Sequence, residues 1–500
     1  MPRKIPPLVW PAALLACFTY LYGLSATGVM GVDEPRYAAI AREMARSGDW
    51  ITPRLWGSPW FEKPALLYWV EGAAFRLGLG AELAPRLPVA LCALAFLAFF
   101  WWVLRREFGC LAAWFATLIL ATTAGYLGYS QVGHMDLLLT ATFGGAMSLA
   151  LPWIGKSETR QLPAAAVLLG FAVLAKSGVA LVLMLPLFWW GRRRVADLLR
   201  LRVIVPFLAV ALPWYLACYG RNGIPFVREL FLKQQFQRLT SDAAQHVQRP
   251  WYYLPVLLGL LIPWTPLVFL LARRAQYRDP RRMFLLALVL WGMVFFSVAP
   301  NKLPGYVLPL LPAVAALMGV ALAEMENPRP LLACTAALLV AFPIAASVLP
   351  YAVESGISHA PWPAFRPVWL VPLASCALVW MLDLRGRRLA AVFTLASSAA
   401  AGMIYLKLQA AGELDRLASA RPLWRQISPR ASEICIADLT RNFSYSLNYY
   451  SVIPLPTCNM QPRRLELRQI PSGAPYLWDT LSGQMVDPLS LAIVPSHFRD

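Results

Sequence analysis

The sequence predicts a polytopic α-helical membrane protein with a small α/β unit at its C-terminal end. Of its 500 residues 59% are hydrophobic and 14% charged, the mean hydropathy is +0.54, and the apolar residues fall in repeated runs of about 20, the length that spans a bilayer as a helix. From about Gly412 onward the chain is more polar and shows short alternating stretches such as EICIADL and NYYSVIPLP in place of such runs. The net charge of +19 does not point to nucleic acid in a chain of this class, because Lys and Arg collect in cytoplasmic loops.

Taken in order, MPRKIPP precedes an apolar run from Leu8 to Val29. That run is long enough to span and is followed by no small-residue cleavage site, so it is predicted as a retained first span with Arg3 and Lys4 inside. Basic clusters recur at Arg105 and Arg106, Lys156 and Arg160, Arg192 to Arg194, Arg273 to Arg282, Arg329, and Arg385 to Arg388, each between two apolar runs. The runs 8–29 and 88–104 already bring the chain back inside. Segment 64–79, short and carrying Glu71 and Arg76, is therefore predicted as an interfacial helix. Further spans are expected near 111–129, 136–154, 161–175, 178–191, 201–219, 251–272, 283–299, 303–323, 331–350, 367–382 and 389–408, about 13 crossings in all. This divides the chain into a membrane part, 1–410, with outer loops 30–87 and 220–250, and an outer α/β unit, 411–500.

Of the eight cysteines, six lie in predicted spans, and there is no CxxC or metal-ligand spacing. Cys435 and Cys458 share the outer unit, where a disulfide is one of the options. No Walker A motif, GxGxxG or internal repeat occurs, so neither a nucleotide cofactor nor an ATP-driven pump is expected.

In this topology the polar residues of interest gather on the outer face. Asp33 and Glu34 head a helical pattern, DEPRYAAIAREMARSG, with Pro35 near its start and Gly48 at its end. The plain alternative for the two acids is complementing the helix dipole. Glu62 and Lys63 sit between aromatic runs; snorkelling alone would explain Lys63, but together with Asp33 and Arg36 they suit a phosphorylated lipid. His134 and Asp136 follow, and an acid at the mouth of a span is a functional candidate. Lys176 marks a tight outer turn, for which interfacial placement is the plain alternative. Arg238, Asp242 and His246 fall close together in the second outer loop and are candidates for metal or phosphate contact. Lys302, among four prolines from Pro300 to Pro312, suggests a broken helix lining a cavity.

The motifs DEPRYAAIAREMARSGDW, FEKPALLYW, HMD, LAKSG, AQHVQRPWYY with its following IPW, and KLPGYVLP resemble, in that order, the signatures of bacterial polyprenyl-phosphate-sugar-dependent glycosyltransferases of the protein-mannosyltransferase superfamily. The likeness covers roughly residues 10–325 and is greatest to the members that transfer 4-amino-4-deoxy-L-arabinose to lipid A. It implies a C-type glycosyltransferase fold in the bacterial inner membrane, with the N-terminus cytoplasmic and both the active site and the C-terminal unit periplasmic. It implies Asp33 and Asp136 as the catalytic acids, and Arg36, Lys63 and Arg238 as phosphate contacts. Tyr37 and Lys302 would line the same cavity. Glu62 and His246 would form a metal-binding pair for zinc, magnesium or manganese. Two departures stand out: the usual lysine-glycine pair is Lys176-Ser177-Gly178, and the outer unit is shorter than in larger members.

The expected partners are a polyprenyl-phosphate-linked sugar donor, lipid A or another envelope acceptor, and membrane lipids, with no nucleic acid. A sibling alternative keeps the reaction with another sugar and acceptor, as in protein O-mannosylation. A lipid or sugar transporter would instead distribute its charges through the membrane depth.

Overall fold

The computed structural model describes residues 9–231, 248–358, 360–469 and 475–486, the side chains at 275, 276, 354 and 355 excepted. Among the described residues, eight helices are long and apolar enough to cross a membrane: Gly80–Glu107 (α4), Met135–Lys156 (α7), Leu201–Asn222, Pro280–Val298, Pro304–Glu324, Arg329–Val353, Pro367–Leu384 and Arg388–Ala418. A ninth candidate is a pair, Pro250–Leu260 and Thr265–Ala272, bent by 115°. Four shorter apolar helices are Val9–Leu21 (α1), Cys110–Thr122 (α5), Leu162–Lys176 (α8) and Val179–Trp190. Each apolar run of the sequence falls on one of these segments.

Two further helices lie in the loop between α1 and α4, Asp33–Ser47 (α2) and Leu66–Arg76 (α3). They are joined through a hairpin of Arg54–Leu55 (β1) and Ser58–Pro59 (β2). At 11 residues α3 is too short to span.

Helices α7 and Pro304–Glu324 form the centre of the bundle, with 94% and 89% of their apolar windows buried inside the protein. Lipid is as apolar as leucine, so close backbone approach drives this packing. At Gly319 a Cβ would lie 2.4 Å from the Ala116 nitrogen of α5, which only glycine tolerates.

The last long helix runs on to Ala418, past the 389–408 run, because the polar turns after Leu408 keep the helical path into the C-terminal unit. There, Ile434–Asp438 (β3), Leu465–Gln469 (β4), Pro475–Asp479 (β5) and Gln484–Val486 (β6) form a sheet in that order. β3 and β4 are parallel and the others antiparallel. Helix Arg441–Ser451 makes the crossover between β3 and β4, as a parallel pair requires. Phe443, Leu447, Ile434, Leu465, Leu467 and Leu477 form its core. A disulfide joins Cys435 to Cys458.

One buried ion pair fixes the outer loop to the bundle. Arg86 of α4, 1% exposed, donates from Nε to Glu34 Oε1 at 2.6 Å and from Nη2 to Oε2 at 2.8 Å. Its remaining donors take the carbonyls of Leu24, Thr27 and Gly28. Glu34 also accepts from the Met30 and Gly133 amides. The C-terminal unit docks on the same loop. Arg421 donates to the Ser25 and Ala26 carbonyls, and Ser446 to that of Val29. A Cβ at Gly28 would lie 2.2 Å from Ser419 Oγ.

Removing one partner of a buried, fully bonded pair strands the other charge. Arg86→Met should therefore destabilise the protein by about 3–5 kcal/mol, and Arg86→Met with Glu34→Leu should recover part of that loss. Thermal unfolding in detergent measures both. An Arg86→Met protein that melts with the wild type would remove the clamp from the account.

Candidate active site

α2 starts at Asp33 because DEP places two acids at the positive end of a helix and Pro35 in its first turn. It stops at Gly48, whose φ of 73° closes the helix while its amide N–H donates a hydrogen bond to the Met44 carbonyl. One turn inside, Arg36 is 4% exposed, 2.5 Å from Asp33 Oδ1 and 3.1 Å from Glu62 Oε2. Lys63 Nζ lies 3.6 Å from Glu62 Oε1. On the other side, His134 precedes α7 and presents Nε2 to Asp33 Oδ2 at 3.4 Å and Nδ1 to Asp136 Oδ2 at 3.2 Å. Lys176, the last residue of α8, donates to Asp136 Oδ1. These contacts form one chain, Lys63, Glu62, Arg36, Asp33, His134, Asp136, Lys176, in which charge alternates at every step once His134 is protonated.

His134 is protonated at neutral pH. Burial pushes its imidazole down, but the charge and hydrogen bonds of Asp136 and Asp33 carry it up to about 9. Burial likewise pushes Asp33 up, and is outweighed by the hydrogen bond and charge of His134 and by Arg36 and Lys63. Its carboxyl is held well below the ordinary range.

The two ends of the chain, Lys63 and Lys176, line one cavity of about 240 Å³. Glu62, Asn301 and Tyr306 add to its polar part, while Val179, Val182, Phe295 and Phe296 make an apolar wall. Lys176 Nζ stands 4.2 Å over the Tyr306 ring. Next to it Gly305 is indispensable, since a Cβ there would lie 2.4 Å from Asp136 Oδ2 and 2.8 Å from the Tyr129 hydroxyl.

The structure brings Asp33, Arg36, Glu62, Lys63 and Asp136 together. Arg36 stands behind the cavity, gripping two carboxylates and packed over the rings of Tyr37, Trp60 and Tyr445. Tyr37 is 1% exposed and meets the His134 ring edge-on at 5.9 Å, so it supports the histidine and does not line the cavity. Lys302 is turned away as well: its ammonium donates to the Ala299 carbonyl at 2.5 Å and the Gln248 carbonyl at 3.1 Å, while its neighbour Asn301 faces the cavity. Arg238, Asp242 and His246 lie outside the described residues.

His134 and Lys176 complete the charge chain, and sequence reasoning gave both too little weight. The signal was their position, two residues before Asp136 and at the outer turn. Glu71, taken above only as a mark of an interfacial helix, is fully buried. Desolvation, with Glu34 nearby, pushes its carboxyl well up.

Among the described residues no three His, Cys, Asp or Glu side chains are grouped to hold a metal ion. Glu62 faces the cations Arg36 and Lys63, which repel a divalent ion, so the described residues do not by themselves fit a metal.

Residues 62–216 match the family described as dolichyl-phosphate-mannose-protein mannosyltransferase, a span that holds Glu62, Lys63, His134, Asp136 and Lys176 but begins after Asp33. The undecaprenyl phosphate-alpha-4-amino-4-deoxy-L-arabinose arabinosyl transferase 2 of Pseudomonas fluorescens is 33% identical over 327 residues, 62% of this chain and 55% of the relative. The corresponding transferase of Serratia proteamaculans is 31% identical over 61% of this chain and 58% of its own length. The matches thus span less than two thirds of these relatives. The crystal structure of ArnT from Cupriavidus metallidurans bound to undecaprenyl phosphate superposes with a TM-score of 0.73 and 27% identity, covering 90% of this chain and 85% of that one. Its apo form gives 0.70 and 25%, covering 93% and 86%. The chain has the C-type glycosyltransferase fold of these structures and is a multi-pass membrane protein.

The raised His134 gives a signed pH dependence. A group whose pKa is higher folded than unfolded stabilises fully below its unfolded value, ordinarily about 6.5, and loses that contribution as pH rises through about 9. Asp33 acts on the acid side: its contribution is present above the ordinary Asp value and is lost as pH falls through the lowered one. The stability gap between wild type and His134→Gln, read as a difference in melting temperature, should be widest below about pH 6.5 and close above 9. A gap that does not change with pH would mean that His134 is neutral.

Proposed function

We propose that this chain is a glycosyltransferase of the bacterial inner membrane that moves 4-amino-4-deoxy-L-arabinose from undecaprenyl phosphate to lipid A at the periplasmic face. The observation that carries the reading is the cavity with two lysines at its polar part and aliphatic and aromatic side chains along its wall. That combination suits a phosphate joined to a long hydrocarbon, and the relatives named above carry this donor in their names.

In the reaction an acceptor oxygen attacks C1 of the sugar, the bond from C1 to the donor phosphate oxygen breaks, and the polyprenyl phosphate departs with the electron pair. Lys63 and Lys176 flank the space where that charge develops, which lowers the barrier. The charge chain bears on the acceptor too. Asp33 holds its proton too weakly to act as an effective base, and His134 is already protonated near neutrality. A hydroxyl acceptor would need a base. A phosphate, ionised at neutral pH, needs none, and this favours lipid A phosphate over a protein hydroxyl. Asp33 then holds Arg36 and His134 in place and orients the acceptor. A divalent ion held by Glu62 and His246 would require further ligands from 232–247, and no step here passes through it.

Lipid A from a strain lacking its own aminoarabinose transferase, with and without this chain expressed, provides the test. Its mass should increase by one aminopentose. Lys63→Gln, which removes one positive charge facing the leaving phosphate, and Asp33→Asn, which uncouples Arg36 from His134, should each lower transfer by about 10²-fold or more in correctly inserted protein. An unchanged lipid A mass with inserted wild-type protein would exclude this donor and acceptor pair.

A further inference from the structure

A second cavity, also of about 240 Å³, lies along α2. Ala39, Arg42, Glu43 and Arg46 line it from the helix, Trp56 and Gly57 from the turn between β1 and β2, and Val452, Ile453 and Pro454 from the C-terminal unit. It shares no lining residue with the lysine cavity.

Two features mark it as built for a ligand. Two walls hold backbone that their side chains disfavour. Trp56 has φ 52° at the first position of a two-residue hairpin turn, where Asn, Asp or Gly is usual, and the β-branched Val452 has φ 66°. Such residues cluster at binding sites. The second is charge. Arg42 is held at its post, donating to the Tyr449 carbonyl at 2.6 Å and stacked 4.3 Å over that ring. Arg46 is exposed beside it, and Glu43 accepts the Gly57 amide at 3.0 Å.

Two guanidinium groups suit phosphate, one carboxylate suits hydroxyl or amine, and an indole face suits a sugar ring. We propose that this cavity binds the phosphorylated amino-sugar headgroup of the acceptor glycolipid; calling that ligand the acceptor rests on the proposed function. The cavity is one ring away from the charge chain. Trp56 stacks on Tyr445 at 5.7 Å, and the Arg36 guanidinium lies over the same Tyr445 ring, also at 5.7 Å. A headgroup held here would lie along the same helix that carries Asp33.

The test uses the full chain in nanodiscs and equilibrium dialysis of the bisphosphorylated glucosamine disaccharide made by removing the acyl chains of lipid A. The wild type should bind it. Arg46→Gln and Trp56→Leu should each weaken binding roughly fivefold or more and raise the acceptor KM alike, with undecaprenyl phosphate binding unchanged. Lys63→Gln should do the reverse. Absence of disaccharide binding by the wild type, or binding that both Arg46→Gln and Trp56→Leu leave intact, overturns the site. If undecaprenyl phosphate binding or transfer is missing while disaccharide binding still depends on Arg46, the site stands and the proposed reaction falls.

Discussion

The alternation of charge from Lys63 to Lys176 is the constraint on which the rest of the outer face depends. Ionised groups withdrawn from water are tolerated only when each meets an opposite partner in good geometry. Here four cations and three anions are strung so that every interior member touches two of opposite sign. The excess positive charge belongs to the two ends, and both ends line the cavity. An anion entering there completes the pattern.

Such a chain needs a rigid frame, since small displacements would trade ion pairs for stranded charges. The frame is a second layer behind it. Glu34 follows Asp33 in α2 and is clamped by Arg86, so the first turn of α2 is fixed to α4. Tyr37 and Tyr68 fill the space beneath Arg36 and His134. Glu71 is fully buried in the same layer, and desolvation, with Glu34 nearby, pushes its carboxyl well up. The C-terminal unit closes the arrangement by bonding the 25–29 backbone.

The helical scaffold was legible in the sequence because hydropathy is a local property, and each apolar run became a helix. Gly48 ended α2 as its position suggested, and Cys435 paired with Cys458. Within the site, Asp33, Arg36, Glu62, Lys63 and Asp136 could be picked out as rare charges on one face. Their order could not, because partner choice is set by three-dimensional distance. Lys302 satisfied the same rule of a charge at the mouth of a span, yet its ammonium turned to backbone carbonyls. Arg86 stood at the edge of an apolar run with nothing to show that Glu34 would reach it. Lys176 looked like an interfacial lysine until α7 and α8 packed side by side and set it against Asp136.

α2 carries part of the charge chain at one end and a wall of the second cavity at the other. Its first turn contributes Asp33 and Arg36 to the charge chain, and Ala39, Arg42, Glu43 and Arg46 line the cavity beside Trp56. A transfer between two amphipathic molecules must hold both headgroups in register while keeping their tails apart in the membrane. A single short helix, clamped at its start by Arg86 and tied to the C-terminal unit through Arg42 and Tyr449, holds the charged side chains of both regions in one frame. The concentration of acids and bases in residues 33–63 of so apolar a chain follows from this geometry, since the same few turns of backbone carry both the charge chain and the lining of the second cavity.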